Sequence, residues 1–466
     1  MSKKKLAIVS SYNTLCGNAT YSAALKKEFS KYFDVETFHI DNSYFKLKAS
    51  VGQQRIEEIV SELGRFDYVN IQAEAGLFGL TPTQMIKNIS KCIKACENVI
   101  ITIHRVDYIE SNQNLFRNIF INPLSFKKEL KKRMRHYITS KLITACKVLG
   151  RKKKVSIMVH TKRSSKYIKQ VFKFPQVHEF PITFLPENNR NSVNENVEIY
   201  KREMQEFYKL DKNKINVGIF GFLSNNKGHH TAVEAAKLLG PDYNLLIFGG
   251  QHPGSIDFYE MGFYDQLYPK KVYPNNHPYI ANLINQLQTY RDELHEGQMQ
   301  EHLVKIKNFY KKNTTQNEGD SVEPFKFDES QFNVKMLGNV DDEAYIKYMR
   351  ACDFIVLPYF ETGQDGSGNA SIAFEVKHPR VLTSRAKHFF ELGKFYKNCF
   401  STFDIANPIQ LYQKILAWDD STDKLHSKNL ATALESYNIE NNIKKHIEIF
   451  ENAKIINTHN SPEKQL

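Results

Sequence analysis

The chain has 466 residues, 41% of them hydrophobic, which suits two globular domains better than one. Six cysteines are too few for a disulfide scaffold, and Cys92 and Cys96 lack a second ligand pair, so we expect no metal site. No apolar run approaches the roughly 20 residues that cross a bilayer. The first residues pass from lysines into a strand-like segment without a cleavage site, so we expect a cytoplasmic protein.

Sixty-four Lys and Arg residues against 51 Asp and Glu residues leave a formal charge of +13. Such an excess indicates an anionic partner: a nucleoside diphosphate, a lipid surface or a nucleic acid. No nucleic-acid-binding motif is present, so we expect no nucleic-acid partner. Much of the excess lies at 127–154.

The first half of the chain alternates short apolar runs with segments of helical periodicity. Runs of this kind predict a parallel sheet covered on both faces. The predicted strands are 6–11, 35–40, 68–72, 99–104 and 155–160, and a helical pattern runs through 21–29.

The same alternation restarts after a polar, Asn-rich stretch at 187–198, which we interpret as the domain linker. A long interruption at 251–331, with a predicted helix at 284–312, is interpreted as an insertion. The predicted strands of this half are 215–222, 243–250, 332–338, 353–359 and 380–384, and helices are predicted at 230–239, at 342–349 and from Ser367.

We therefore predict an α/β protein with two facing, Rossmann-like, doubly wound domains and a cleft between them. The N-terminal domain spans 1–190 and the C-terminal domain 191–435. Helices at 436–457 are expected to pack back on the N-terminal domain, and the tail at 458–466 is expected to be disordered.

Two glycine-containing loops in the second half suit a phosphate ligand. Gly221 and Lys227 lie where a buried strand turns into a helix, and the lysine can neutralise a diphosphate. The alternative is a tight turn with a solvated lysine. The residues at 366–369 open a second helix, whose free N–H groups favour an anion, and Glu375 lies about two turns along it. Here the alternative is that Ser367 caps the helix and Glu375 is solvated.

Taken together, the chain resembles the family-four group of retaining glycosyltransferases, which has the glycosyltransferase B-type fold. The carboxyl half carries the more specific part of the likeness. The matching segments are the loop at 17–21, VNIQAEAGLFG (69–79), VIITIHRVDY (99–108), GIFGFLSNNKG (218–228), LLIFGG (245–250), 334–359 and GSGNASIAFE (366–375).

The resemblance implies roles for individual residues. Lys227 and the backbone of Gly366, Ser367, Gly368 and Asn369 would hold the donor diphosphate. Glu375 would bind the ribose, and 337–340, with Val340, would border the base. His104 would face the transferred sugar. Gly17 and Gly221 complete the predicted donor site, in which His104, Lys227 and Glu375 are the predicted catalytic residues.

Gln72 and Glu74 follow a predicted strand and would face the acceptor, or else bond locally within a loop. The implied reaction moves a sugar from a UDP- or GDP-type nucleotide sugar to a hydroxyl group with retention. It needs no metal and no other cofactor. The implied acceptor is a surface glycan, a lipid-linked saccharide or a glycoprotein.

The chain departs from the family pattern at Gly17, the one glycine of a loop where two are common, and at two positions of its carboxyl half. Phe222 follows Gly221 where arginine is frequent, and Ser367 stands eight residues before Glu375 where a first glutamate is frequent. These departures favour a catalytically degenerate partner subunit as one alternative. A sugar-nucleotide epimerase on the same fold is another.

The basic segment at 127–154 has helical periodicity. It predicts either a helix lying on an anionic membrane surface or an ordinary amphipathic helix with a basic outer face. The apolar stripe comprises Leu130, Met134, Tyr137, Ile138, Leu142, Ala145 and Leu149.

Overall fold

A computed structural model describes residues 3–14, 16–74, 76–108, 123–250, 334–361 and 363–456, with the side chains of helix 123–149 described at 130 and from 133 onward. The expected insertion at 251–331 and the tail at 458–466 lie outside the described residues.

The first half of the chain forms a parallel six-stranded sheet in the order β2-β1-β3-β4-β5-β6. Strands β3 and β4 are buried along their whole length, as expected of a sheet covered on both faces. The chain order reverses between β1 and β3, which makes this point a crevice at the carboxyl edge. The strands are β1 (Lys5–Ser10), β2 (Asp34–His39), β3 (Tyr68–Ala73), β4 (Asn98–Ile103), β5 (Lys154–Val159) and β6 (Val177–Glu179).

Helices connect the parallel strands of this sheet and cover its faces. Several begin at a side-chain cap, such as Thr81 before α4 and Thr161 before α6, each accepting a hydrogen bond from a first-turn N–H group. The helices are α1 (Gly17–Phe29), α2 (Ser43–Leu47), α3 (Ala49–Leu63), α4 (Pro82–Ala95), α5 (Pro123–Leu149) and α6 (Lys162–Val171).

The second half forms another parallel six-stranded sheet, in the order β12-β11-β10-β7-β8-β9. Its order reverses between β7 and β10, so a second crevice opens at that point. Two facing doubly wound domains were predicted, and the structure confirms them. The strands are β7 (Ile215–Phe220), β8 (Tyr243–Phe248), β9 (Val334–Gly338), β10 (Phe354–Leu357), β11 (Val381–Ser384) and β12 (Ser401–Phe403).

The Asn-rich stretch at 187–198, interpreted as a linker, is helical. It contributes α7 and the start of α8, and Arg190 and Val193 of α7 are buried. The stretch lies between β6 of the first sheet and β7 of the second, and a few buried contacts are enough to hold a short helix against its neighbours. The helices of this half are α7 (Glu187–Glu195), α8 (Val197–Phe207), α9 (His229–Leu239), α10 (Asp342–Ala351), α11 (Gly368–Glu375), α12 (Lys387–Leu392), α13 (Pro408–Leu416), α14 (Asp420–Ser436) and α15 (Ile439–Asn452).

The C-terminal helix α15 lies against α1 and β4 of the first domain. Asn98 donates to the carbonyl of Phe450 over 2.7 Å, and Asn442 donates to the hydroxyl of Tyr21 over 3.1 Å. The end of the chain therefore ties the two domains together from behind the cleft.

A buried carboxylate joins the domains inside the cleft. Asp365, in the loop between β10 and α11, accepts from the backbone N–H of Val106 over 2.9 Å and from the hydroxyl of Ser164 over 2.7 Å. Both donors belong to the first domain. This pairing brings the carboxyl edges of the two sheets face to face.

The apolar stripe predicted along the basic segment is only partly buried. Leu142 is buried, whereas Leu130, Met134 and Tyr137 are each about half exposed. The buried face of α5 instead runs through Thr139, Leu142, Ile143 and Cys146, and the helix packs on α4 and β5. The first half of the stripe is left facing solvent.

Gly228→Ala tests the tight turn between β7 and α9. Gly228 has φ +66°, and a Cβ there would lie 1.9 Å from the carbonyl oxygen of Pro358. We expect the substitution to lower the free energy of unfolding by about 3 kcal/mol, because alanine is disfavoured at a positive φ and its Cβ would displace the backbone at Pro358. Gly338 is the control, because its φ of +74° is also positive and a Cβ built on it would meet nothing within 4 Å. Gly338→Ala should cost about 1 kcal/mol. Equal losses in denaturant unfolding would contradict the close approach.

Asp365→Asn tests the buried interdomain carboxylate. Burial raises the pKa of Asp365 to about 7, against the hydrogen bonds from Ser164 and Val106, which lower it. The folded chain therefore keeps a proton that the unfolded chain releases above about pH 4. The stability contributed by this group falls as pH rises from about 4 to about 7. We expect the variant, whose amide oxygen can accept the same bonds, to lack that part of the decline.

The measurement is denaturant unfolding at a series of pH values. Asp404→Asn is the control, since Asp404 is exposed and pairs with Arg385 at 2.8 Å. Its stability should follow the wild-type pH dependence. If the free energy of unfolding of Asp365→Asn shows the same pH dependence as the wild type, this carboxylate does not cause the decline.

Candidate functional site

Three parallel strands of the first sheet bring polar side chains together at their carboxyl ends. Gln72 lies on β3, and His104 and His160 directly follow β4 and β5. Nε2 of His104 lies 2.7 Å from the Gln72 amide, and its Nδ1 lies 3.1 Å from Nε2 of His160. The ring edge of Tyr21 from α1 packs against both imidazoles at 5.8 Å.

The partners of these rings fix their tautomers. The carbonyl of Phe180 can only accept, so the Nδ1 of His160, at 3.1 Å, carries the proton. Nε2 of His160 then accepts from Nδ1–H of His104, which leaves Nε2 of a neutral His104 as an acceptor. Burial favours this neutral form, because it lowers the pKa of His160 to about 4 and that of His104 well below its ordinary value.

An acceptor on His104 requires a donor from Gln72. The terminal amide of Gln72 is therefore rotated by 180°, so that its NH2 group faces His104. The amide O and N atoms exchange places, and the shape of the side chain does not change. Its oxygen then faces the hydroxyl of Thr102 and the side chain of Asn70. If the Asn70 amide is rotated by 180° as well, its Nδ2 donates to the Gln72 oxygen. Without that rotation, the Asn70 Nδ2 is buried without a partner among the described residues.

This network contains two of the predicted residues, Gln72 and His104, and Glu74 lies outside it. Gln72 is a fully buried strand residue, and it supports His104 instead of following the strand as predicted. Both nitrogens of His104 are engaged inside the first domain, so contact with a sugar is left to the ring edge or the backbone. Glu74 is exposed, just beyond β3.

Gly17 begins α1 near this network. The preceding Cys16 caps the helix by accepting from the N–H of Ala19 over 3.4 Å. A Cβ built on Gly17 would meet nothing within 4 Å. The start of α1 is therefore open on that side.

The second domain contributes a lysine without a carboxylate partner. Lys227 follows β7 in a short 3-10 turn, and its Nζ lies 3.9 Å from the ring centroid of Tyr359. This cation–π contact holds the ammonium group without neutralising it. Among the described residues, no carboxylate lies within ion-pair distance of Lys227. Its positive charge is thus available to an anion.

Tyr359 also connects Lys227 to the start of α11. Its hydroxyl accepts from Nδ2 of Asn369 over 2.8 Å, and the same amide donates to the carbonyl of Phe220. The hydroxyl of Tyr345 donates to Oδ1 of Asn369 over 2.8 Å. A Cβ on Gly221 would lie 2.6 Å from this amide. The side chain of Asn369 is therefore committed to the domain, and a phosphate role is left to its backbone.

A buried histidine beside Lys227 has unused hydrogen-bonding groups. His388, on α12 after β11, is 2% exposed, and neither of its ring nitrogens has a partner in the described part of the chain. Burial, and then the charge of Lys227, lower its pKa to about 3. Its ring lies 5.7 Å from that of Tyr359. A neutral imidazole thus offers one donor and one acceptor in this group.

The start of α11 faces the first domain. Ser367 caps the helix by accepting from the N–H of Ala370 over 3.3 Å. A Cβ on Gly366 would lie 2.6 Å from Ile182 and 3.9 Å from the Cβ of His160, and one on Gly368 would lie 3.3 Å from Phe184. The glycines therefore allow close approach of the domains at the positive end of the helix.

Glu375 is fully buried at the same interface. Both carboxylate oxygens accept from the N–H of Phe184 at 3.0 Å, and Oε1 also accepts from the N–H of Leu185 at 3.3 Å. Burial raises its pKa to about 8, although these hydrogen bonds act in the opposite direction. A ribose could contact this carboxylate only after displacing the backbone of the first domain. Its ribose role stays a prediction.

The predicted residues thus fall into two groups. His104 and Gln72 lie together in the first domain, with Gly366 next to them across the interface, and Gly221, Lys227 and Asn369 surround Tyr359 in the second. Val340 is half-buried against the second domain's core. No cluster of His, Cys, Asp or Glu within the described ranges could hold a metal ion. Within the same ranges, no helix is long and apolar enough to span a membrane.

The sequence analysis missed His160, Tyr359, Asp365 and His388. His160 ends a predicted strand just as His104 does, so the same signal was available for it. Tyr359 ends a quoted segment, and Asp365 directly precedes another, but neither was given a role. Nothing in its sequence context distinguished His388, because its position depends on the packing of β11 against β10.

No family model matches the chain, and no curated protein matches it. Similar solved structures include HepE from Anabaena in complex with UDP and glucose, at 12% identity and a TM-score of 0.52, covering 96% of this chain and 100% of HepE. Sucrose-phosphate synthase from Thermosynechococcus elongatus is 12% identical with a TM-score of 0.57, covering 96% and 98% of the two chains.

The UDP-forming α,α-trehalose-phosphate synthase from Burkholderia xenovorans, in complex with glucose-6-phosphate, is 8% identical with a TM-score of 0.55. The match covers 96% of this chain and all of that one. At these identities the likeness concerns the fold. With its two parallel six-stranded sheets and surrounding helices, the chain has the glycosyltransferase B-type fold.

Proposed function

We propose that this chain is a glycosyltransferase that moves a sugar from a nucleoside-diphosphate sugar to a hydroxyl group with retention of anomeric configuration. The observation that carries the proposal is Lys227, a cation that has no carboxylate partner among the described residues and is held at a sheet edge beside the start of α11. Structural neighbours with the same fold support it, since one was solved with UDP and glucose. The resemblance to the family-four group supports retention.

In this mechanism the chain supplies position and charge. Lys227 and the N–H groups at the start of α11 stabilise the diphosphate as negative charge develops on the leaving oxygen. The leaving phosphate and the incoming hydroxyl share one face of the sugar, so no protein nucleophile is required. Closure of the domains excludes water from the departing sugar.

His388 is assigned to the donor as well. A buried imidazole with two unpartnered nitrogens is costly unless a ligand provides hydrogen bonds. Its position beside Lys227 and Tyr359 suits contact with a donor hydroxyl or phosphate oxygen. His388 is thus a second polar group for a site in which Phe222 replaces the frequent arginine.

A catalytically degenerate partner subunit is the second candidate function. It is favoured by Glu375, whose two oxygens are occupied by backbone N–H groups of the first domain. A subunit of this kind would keep the fold and lose donor turnover.

Release of nucleoside diphosphate from a panel of UDP- and GDP-sugars, with water and added saccharides as acceptors, distinguishes the two functions. A glycosyltransferase turns over one donor selectively and faster when its acceptor is present. Absence of release from every donor, by a protein shown to be folded, favours the degenerate subunit.

Lys227→Ala should lower this turnover by about a hundredfold or more, since a preorganised group on the developing charge is lost. The matched control is Lys237→Ala, which removes an exposed lysine of α9 paired with Glu234 at 2.8 Å. The control should keep wild-type turnover. Near-normal turnover of Lys227→Ala would remove this lysine from the diphosphate site.

We also propose that the start of α5 contacts an anionic membrane surface. Leu130, Met134 and Tyr137 share one helix face and are about half exposed. Nζ of Lys141 lies 5.3 Å from the ring centroid of Tyr137 on that face. Basic side chains around an exposed apolar stripe are typical of interfacial helices.

Replacing Leu130, Met134 and Tyr137 together by serine should weaken co-sedimentation with phosphatidylglycerol vesicles at low salt, because apolar burial in the interface is lost. Val148→Ser is the control, as Val148 is equally exposed at the other end of α5. Unchanged sedimentation of the triple variant would exclude this face as the contact.

A further inference from the structure

Two arginines converge on one carboxylate oxygen at the end of β4. Nε and Nη2 of Arg105, the residue after His104, each lie 2.9 Å from Oδ1 of Asp107. Nε of Arg135, on α5, lies 3.7 Å from the same oxygen. We call Arg105 and Arg135 the arginine pair.

The arginine pair carries more positive charge than its surroundings neutralise. Across the part of the chain that the structure describes, Asp107 is the one carboxylate within ion-pair distance of either guanidinium. Nε of Arg135 is buried and makes no hydrogen bond to a residue within the described ranges. Burial lowers the pKa of Arg135, and the charge of Arg105 lowers it further. Because arginine stays ionised, two guanidinium groups share one carboxylate and a net positive charge remains.

The position of Asp107 is fixed by α5. Its backbone carbonyl accepts from Nδ1–H of His136 over 2.9 Å, and its N–H donates to the hydroxyl of Thr139 over 3.4 Å. Nε2 of His136 in turn accepts from Ser140 over 3.0 Å. The Asp107 carboxylate thus positions the arginine pair, but its single negative charge does not neutralise both guanidinium groups.

The arginine pair lies on the first domain's wall of the cleft. A Cβ on Gly363, in the second domain, would lie 3.1 Å from Nη2 of Arg105. Lys227 and Tyr359, assigned to the donor diphosphate, belong to the second domain. The arginine pair therefore stands next to His104 and on the side of the cleft left for the acceptor.

We propose that the arginine pair binds a phosphate group of the acceptor, so that the proposed transfer takes place on a phosphorylated molecule. The inference rests on the proposed function. Guanidinium groups present several N–H donors in a planar fork that matches phosphate oxygens, and a phosphate supplies the missing negative charge. The exposed stripe of Leu130, Met134 and Tyr137 on the same helix would suit an alkyl chain carried by that phosphate.

The test is isothermal titration with inorganic phosphate, octyl phosphate and octyl glucoside, in a Lys227→Ala background that removes the donor diphosphate site. Arg135→Gln should weaken binding of a phosphate probe by about tenfold or more, since charge-assisted hydrogen bonds are lost. Binding of octyl glucoside should not depend on Arg135. Arg151→Gln, an equal charge change just beyond α5, is the control and should retain phosphate binding.

The two phosphate probes distinguish the source. Dependence on Arg135 with inorganic phosphate indicates a free phosphate ester, and dependence with octyl phosphate alone indicates a lipid-linked phosphate. Equal binding by Arg135→Gln and its parent, or no binding of either phosphate by the parent, would overturn the proposal.

A structural role predicts a different result in the absence of ligand. If Arg135 served stability, Arg135→Gln would lower the melting temperature, whereas relief of the unpaired charge should leave it unchanged or raise it. Nucleoside diphosphates should bind equally well with and without Arg135→Gln when Lys227 is intact. If Arg135→Gln abolishes phosphate binding while no nucleotide binds the chain with Lys227 intact, the phosphate site at the arginine pair stands and the donor proposal is overturned.

Discussion

Backbone N–H groups of the first domain are bound by buried carboxylates of the second. Asp365 accepts from Val106, and Glu375 accepts from Phe184 and Leu185. Polar groups of this kind would be costly to bury without their partners, so each pairing favours one arrangement of the domains. Every feature assigned to the cleft depends on this arrangement, including the approach of Gly366 to His160.

The same arrangement places opposite kinds of chemistry on the two walls. On the first domain, neutral histidines and a buried amide form a closed network that fixes the end of β4. On the second, Lys227 and His388 keep unused capacity for an anion and for hydrogen bonds. This neutral network, with the arginine pair beside it, faces Lys227 and His388 across the cleft, which is a suitable setting for binding a donor and stabilising its leaving group.

The sequence predicted the parallel sheets because short β-branched runs such as those of β4 and β5 are buried on both faces. It also predicted the start of α11 at Ser367, since a capping residue acts locally. Partners distant in sequence were not predictable. Glu375 bonds to residues about 190 positions away, and the position of His388 depends on how neighbouring strands pack.

Composition carries little information where a few long-range contacts decide the local structure. The Asn-rich stretch at 187–198 has little apolar content, yet it is helical because Arg190 and Val193 find buried positions. The stripe along α5 looks continuous in sequence, but Leu130 and Met134 are exposed while Leu142 is buried. Periodicity predicts a helix and leaves open which neighbour covers each turn.

The central claim is that the cleft is a nucleotide-sugar site. It is tested most directly by a thermal-shift panel of nucleoside diphosphates and nucleotide sugars, since a ligand that binds the folded chain alone must raise its melting temperature. The account predicts selective stabilisation by the nucleotides of one base, and loss of this shift in a chain without Lys227. Absence of a shift with every nucleotide at millimolar concentration would contradict it.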